Sequence, residues 1–199
     1  GSISRGWSAT ARRPSSRTWD AGSRPAAPGR RRKPGRERDA APLILTLAFE
    51  PAAFEHFNAL RRTHFPERLN HIPAHLTLFH HLPGNRLDEV MEALAEEANA
   101  QPRFPVEAAG LRKLGRGVAY SLHAPPLDAL RGRLAARFAE HLTPQDRQGF
   151  RAHVTVQNKV DPKDAAVLHD QLAADFTPWS FRAEVLLLWR YLGGPWERL

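Results

Sequence analysis

The chain of 199 residues contains no cysteine, which excludes disulfides, thiolate nucleophiles and cysteine zinc sites. No apolar run approaches the roughly 18 residues that a membrane span needs, and no apolar core of a signal peptide is present. No membrane partner is therefore expected, and a cytoplasmic monomer is the default. Gly-x-Gly-x-x-Gly, the Gly-Lys-Ser/Thr phosphate loop and His-Glu-x-x-His are all missing, so nothing supports ATP, dinucleotide or zinc-protease chemistry. His71, His80 and His81 have no carboxylate at ligand spacing, so no metal site is assigned and no cofactor is expected. Hydrophobic residues at 42% and charged residues at 25% give an ordinary globular balance.

Excess charge of one sign is absent from most of the chain. The net charge of +8 belongs to residues 1–41, which hold eleven basic and three acidic residues, whereas basic and acidic residues balance over residues 42–199. Residues 1–41 are also rich in Arg, Pro and Ser with no apolar period, and are expected to form a disordered basic tail. Arg30, Arg31, Arg32 and Lys33 give that tail the means for weak, nonspecific contact with RNA phosphates. Residues 42–199 are expected to fold as one neutral domain without the basic face of a long RNA footprint.

Hydrophobic patterning orders that domain. Residues 43–49 are apolar between Pro42 and Pro51 and read as a buried strand. A helix comes next with Ala53, Phe54, Phe57 and Leu60 on one side, ended by Pro66. Residues 75–80 alternate and read as a strand stopped by Pro83-Gly84. Leu87, Val90, Met91, Leu94 and Ala98 have helical spacing. Residues 104–111 and 118–123 read as strands joined through Gly115-Arg116-Gly117. Pro125-Pro126 then opens a helix striped by Leu127, Leu130, Leu134, Phe138 and Leu142. Residues 153–160 read as a strand, Asp161-Pro162 as the start of a helix, and residues 181–189 as the last long strand, with a short edge strand over 195–199. The order strand, helix, strand, helix, strand occurs twice, which suggests an internally duplicated, bilobal α+β fold. Two mainly antiparallel sheets would face a central cleft, with helices outside.

The second strand of each half opens alike, as His75-Leu76-Thr77-Leu78 and His153-Val154-Thr155-Val156. Residues two apart share a face of a strand. His75 and Thr77 therefore point one way and Leu76 and Leu78 the other, and the second tetrapeptide repeats the arrangement. If the apolar side enters the core, both imidazoles and both hydroxyls face the cleft. Imidazole exchanges protons near neutral pH, so one ring can take a proton from an attacking water while the other protonates a leaving oxygen. Threonine hydroxyls can hold nonbridging phosphate oxygens. This is a set of groups for in-line phosphoester cleavage without metal. His141-Leu142-Thr143 also matches, but it closes a helical stripe before Pro144, so it lacks the strand context.

Two such strands in a duplicated chain resemble the 2H phosphoesterase superfamily, most closely bacterial 2′-5′ RNA ligase-like proteins, also called RNA 2′,3′-cyclic phosphodiesterases. The resemblance spans residues 43–199 and includes Trp189-Arg190-Tyr191-Leu192-Gly193-Gly194-Pro195-Trp196. It implies a duplicated 2H phosphoesterase-like fold and hydrolysis of a 2′,3′-cyclic phosphate, at an RNA end or on a small nucleotide, to a 2′-phosphate. Reversible 2′-5′ RNA ligation is the related activity. It carries over His75 and His153 as catalytic residues and Thr77 and Thr155 as phosphate binders. The rival reading is a noncatalytic RNA- or nucleotide-binding protein of the same fold.

Parity along the two motif strands gives further candidates. Phe79 and His81 share the face of His75 and Thr77, and Phe79 is a candidate for base stacking. Arg151, Gln157 and Lys159 share the face of His153 and Thr155. Tyr120 lies on a neighbouring strand and is a further candidate for contact with substrate.

Overall fold

A computed structural model describes residues 40–194 and 196–199. The expected basic tail falls almost wholly outside the described residues.

The first half runs β1 (Leu43–Phe49), α1 (Pro51–His64), β2 (Leu76–Leu82), α2 (Leu87–Ala100) and β3 (Pro105–Lys113). The second runs β4 (Val118–His123), α3 (Pro125–Arg137), a four-residue α4 (Pro144–Arg147), β5 (His153–Gln157), α5 (Pro162–Ala174) and β6 (Trp179–Tyr191), with a final short β7 (Trp196–Arg198). Local chemistry sets several boundaries. Proline occupies the first turn of α1, α3, α4 and α5, where its missing N–H costs nothing. The Asp161 carboxylate caps α5 by accepting from the Lys163 N–H.

The fold is α+β, and every strand pairing is antiparallel. The strand order is β2-β1-β6-β3-β4-β5, with β7 added beside β6. The two expected sheets are thus two wings of one sheet that share β6. Its 13 residues pair with β3 over Trp179–Arg182 and with β1 over residues 183–190. The end strands β2 and β5 nevertheless come into contact, so the sheet curls until its two margins meet.

One apolar core runs through both halves. Phe57 of α1 marks its centre. Its ring centroid lies 5.3 Å from Tyr120, 5.5 Å from Trp179 and 5.8 Å from both Phe49 and Phe181. Periodicity found the helical faces but not all their limits. Phe54, Met91 and Val167 continue their stripes and stay exposed, because no element among the described residues covers the edge of the face. On α1 the buried side is instead Ala53, Phe57, Asn58 and Arg61.

A β-bulge interrupts both motif strands at the same place. Thr77 pairs with Thr46 and Phe79 with Leu45, so Leu78 is the extra residue. Thr155 pairs with Ala119 and Gln157 with Val118, so Val156 is the extra residue. Each bulge carries two consecutive side chains inward and reverses the parity of the residue after it. On β2 a second register shift follows, because Phe79 pairs with Leu45 and Leu82 with Leu43, and Leu82 returns to the core. The duplication therefore reaches the backbone irregularity at the end of the repeated tetrapeptide. At the second bulge, Gly117 lets two chain segments approach. A Cβ there would stand 2.0 Å from the Gln157 carbonyl oxygen.

Candidate active site

His75 immediately precedes β2 and His153 opens β5. The two rings are held in the same way. The Pro73 carbonyl accepts from His75 Nδ1–H at 2.7 Å, and the Arg151 carbonyl accepts from His153 Nδ1–H at 2.8 Å. A carbonyl can only accept, so each neutral ring carries its proton on Nδ1 and keeps its Nε2 lone pair. In both cases the partner is the residue two positions earlier. Thr77 and Thr155 come next on the same faces, half-buried like the histidines. Leu76, Leu78, Val154 and Val156 lie in the core. The contact between β2 and β5 brings the two motifs to one cleft, close enough for the charge of His153 to be felt at His75. His153 and His80 both oppose protonation of His75, and His80 also opposes protonation of His153.

Desolvation is the main cause of both pKa shifts. It pushes His75 down to about 4 against the raising effect of the Pro73 hydrogen bond, and Arg61 adds to the lowering. His153 is also lowered, by burial first and then by Arg112, against its own backbone hydrogen bond. His75 is the more enclosed ring because Trp196 lies edge-to-face on it, with centroids 5.1 Å apart. Trp196 in turn stands 6.0 Å from Trp189, whose indole N–H donates to Thr46 Oγ1 at 2.8 Å.

Helix α1 fixes the chain just before His75. Asn58 Oδ1 accepts from the Ala74 N–H at 2.7 Å. Arg61, only 4% exposed, donates from Nε and Nη2 to Asn70 Oδ1, from Nη2 to the Ile72 carbonyl, and from Nη1 to the Thr155 carbonyl. One guanidinium thus ties the approach to His75 to the strand that carries His153. Its carbon also stands 4.3 Å over the Phe65 ring.

The other candidates divide. Phe79 does not reach the cleft: it is 0% exposed in the core, turned inward by the bulge at Leu78, with the Arg131 guanidinium over its ring. Tyr120 is likewise a core residue, 5% exposed and packed on Phe57 and Phe176. It pairs with Val154 rather than with a motif histidine. Gln157, 7% exposed, comes after the bulge at Val156 and shares a row with the core residue Val118. At the end of β2 a second register shift leaves His81 and His80 exposed together opposite Ile44, and the charge of His80 is felt at both motif histidines. The buried Asp146 carboxylate, 2% exposed, holds this turn by accepting from the His80 and His81 N–H groups at 2.9 and 2.8 Å. Arg151 is exposed beside His153. Lys159 lies beyond β5, in an exposed turn with φ of 64°. In the third His-x-Thr, His141 ends a 3-10 turn, and Thr143 is the N-cap of α4, with its hydroxyl accepting from the Asp146 N–H at 3.3 Å.

Sequence reasoning missed Arg61, His80, Arg112 and the two tryptophans as neighbours of the motifs. Arg61 left a trace, since a charge at helical spacing from Phe57 and Asn58 on a core-facing stripe demands buried acceptors. Arg112 left none, because its place depends on cross-strand register. Chemically, the cleft offers two imidazoles, each with an available Nε2, and two hydroxyls in matched positions. Such a set can accept one proton, donate another and hold an anion between them.

The family model of the 2′-5′ RNA ligase superfamily matches residues 49–195. Among solved structures, the protein TT0787 of Thermus thermophilus is 17% identical, with a TM-score of 0.60 over 79% of this chain and 94% of that one. A protein described as a phosphoesterase is 21% identical, with a TM-score of 0.52 over 80% of this chain and 95% of that one. Escherichia coli LigT, solved as a complex with ATP, is 18% identical, with a TM-score of 0.50 over 80% and 94%. At these identities the likeness is one of fold. No curated protein matches the sequence.

Proposed function

Because this chain belongs to the 2′-5′ RNA ligase superfamily, we propose that it is a metal-independent phosphoesterase that opens a 2′,3′-cyclic phosphate, at an RNA end or on a small nucleotide, to a 2′-phosphate. Membership supports a 2H phosphoesterase- or RNA ligase-like enzyme. The observation that carries the finer reading is the matched anchoring of His75 and His153 through Nδ1, which reserves both Nε2 atoms for proton transfer. Thr77 and Thr155 bind the nonbridging oxygens. His75 Nε2 takes a proton from water as the water oxygen attacks phosphorus. The bond from phosphorus to O3′ breaks in line, and His153 delivers a proton from Nε2 to O3′. His75 is the base because its enclosure keeps it neutral down to about pH 4. A 5′-hydroxyl attacking in place of water gives a 2′-5′ linkage with the same two roles.

The pH dependence tests this assignment. The base must be neutral, so kcat/KM on a 2′,3′-cyclic nucleotide falls as pH drops through the His75 value of about 4. The acid must be protonated, so kcat/KM also falls as pH rises through the His153 value, which lies below its ordinary 6.5. The expected optimum is acidic. The bound phosphate anion stabilises both imidazolium forms, which displaces the kcat profile to higher pH. A kcat/KM that climbs to a plateau in alkaline solution contradicts proton donation by a histidine.

A further inference from the structure

The two halves of the cleft floor are built from different residues. In the second half the cleft-facing rows are Gly110–Ser121–His153 and Arg112–Ala119–Thr155. The matching rows of the first half are Val185–Ala48, which leads to His75, and Leu187–Thr46–Thr77. Arg112 thus stands where the other half has Leu187, and Gly110 where it has Val185. Nothing lies within 4 Å of where a Cβ on Gly110 would be, so the floor beside His153 is open.

Arg112 is half-buried and pairs with no carboxylate among the described residues. Burial and the charge of Arg151 both disfavour its protonated form, and it in turn opposes protonation of His153. A partly desolvated guanidinium whose charged neighbours are Arg151 and His153 gains from a ligand anion. The opposite wall is apolar, with Val185, Leu187, Trp189 and Trp196 all half-buried.

A ribose 2′,3′-cyclic phosphate has a matching polarity. The base hangs from C1′, next to C2′, while the 5′-oxygen is reached through C4′, next to C3′. Placing the base on the apolar wall and the 5′-oxygen towards Arg112 puts O3′ on the side of His153. It also leaves the opposite, water-bearing side to His75. Those are the roles assigned above from the enclosure of His75.

We propose that Arg112, backed by Arg151, is a second anion subsite that takes a phosphate on the 5′-oxygen of the nucleotide whose cyclic phosphate reacts. This rests on the phosphoesterase reading and specifies its substrate class. The 5′-phosphoryl group belongs either to a 5′-phosphorylated mononucleotide or to the phosphodiester that joins a 3′-terminal nucleotide to an RNA chain.

The experiment compares kcat/KM of the full chain on three substrates: a 2′,3′-cyclic nucleotide with a free 5′-hydroxyl, the same with a 5′-phosphate, and a dinucleotide with the cyclic end. At least one 5′-phosphoryl substrate is expected to be preferred over the 5′-hydroxyl one by about 10-fold or more. The better of the two identifies the source of the group. Arg112→Ala and Arg112→Gln should both bring that ratio near one, and a ratio taken within one preparation is unaffected by partial unfolding. Equal rates on all three substrates in the unmodified protein, or a preference that survives both substitutions, would overturn the subsite while leaving the phosphoesterase reading intact. Turnover of none of them would overturn both.

Discussion

Replacing His75 with alanine is expected to lower kcat on a 2′,3′-cyclic nucleotide by about 10²- to 10⁴-fold, and His153→Ala by a comparable factor. Each substitution removes one proton-transfer group and leaves the strand that carries it. The rings are half-buried on the cleft face, and the core below is made by Leu76, Leu78, Val154 and Val156, so both variants should fold. Because the two imidazoles act in one concerted displacement, the double variant should fall little further than the worse single one. His141→Ala supplies the control. That histidine belongs to the third His-x-Thr, is exposed at the end of a 3-10 turn, and should leave the rate within a few-fold. Steady-state kinetics with circular dichroism of each variant checks all four expectations. Near-normal turnover in either single variant would contradict two-histidine chemistry.

Arg61→Met is expected to cost about 3 kcal/mol of stability, since hydrogen bonds to a buried charged group are each worth about 1.5–3 kcal/mol and their loss strands acceptors. The guanidinium reaches Asn70, Ile72 and Thr155 at once, and a thioether satisfies none of them. The carbonyls of Ile72 and Thr155 would be left short of a donor in a site that is almost closed to water. A loss of kcat should accompany the loss of stability, because the released segment leads directly to His75. Arg61→Lys keeps the charge but offers one point of donation in place of a planar fork, so it should recover only part of either quantity. Urea denaturation reads the stability change. A shift of less than about 1 kcal/mol would mean that Asn58 and the surrounding backbone hold the segment unaided.

The order of strands and helices was legible because each element carries its own period, and Val118–His123 was placed to the residue. The repeated tetrapeptide was legible for the same reason. Parity failed immediately afterwards, and failed alike in both halves. A bulge is a hydrogen-bonding event between two strands and needs no marker residue. Neither Leu78 nor Val156 distinguishes itself, yet each sends the next side chain, Phe79 or Gln157, to the core face. A second shift before Leu82 then leaves His80 and His81 exposed together. The union of the two sheets through β6 was hidden too. It depends on which neighbours its two ends find, and its extra residues at both ends read as ordinary boundary positions. Tyr120, an amphipathic side chain on a strand, has no local signal that chooses between cleft and core. Its partners Phe57 and Phe176 come from helix α1 and from just beyond α5.

Metal-independent opening of a cyclic phosphate by two histidines is tested most directly by phosphorus NMR of the full chain with a 2′,3′-cyclic nucleotide or a short cyclic-ended RNA in excess EDTA. The His75→Ala/His153→Ala double variant runs beside it. The expected result is conversion to a 2′-phosphate at a rate that EDTA does not change, and none in the double variant. A 3′-phosphate product would contradict departure of O3′ towards His153. A cyclic phosphate resonance that stays unconverted on both substrates would contradict the phosphoesterase itself.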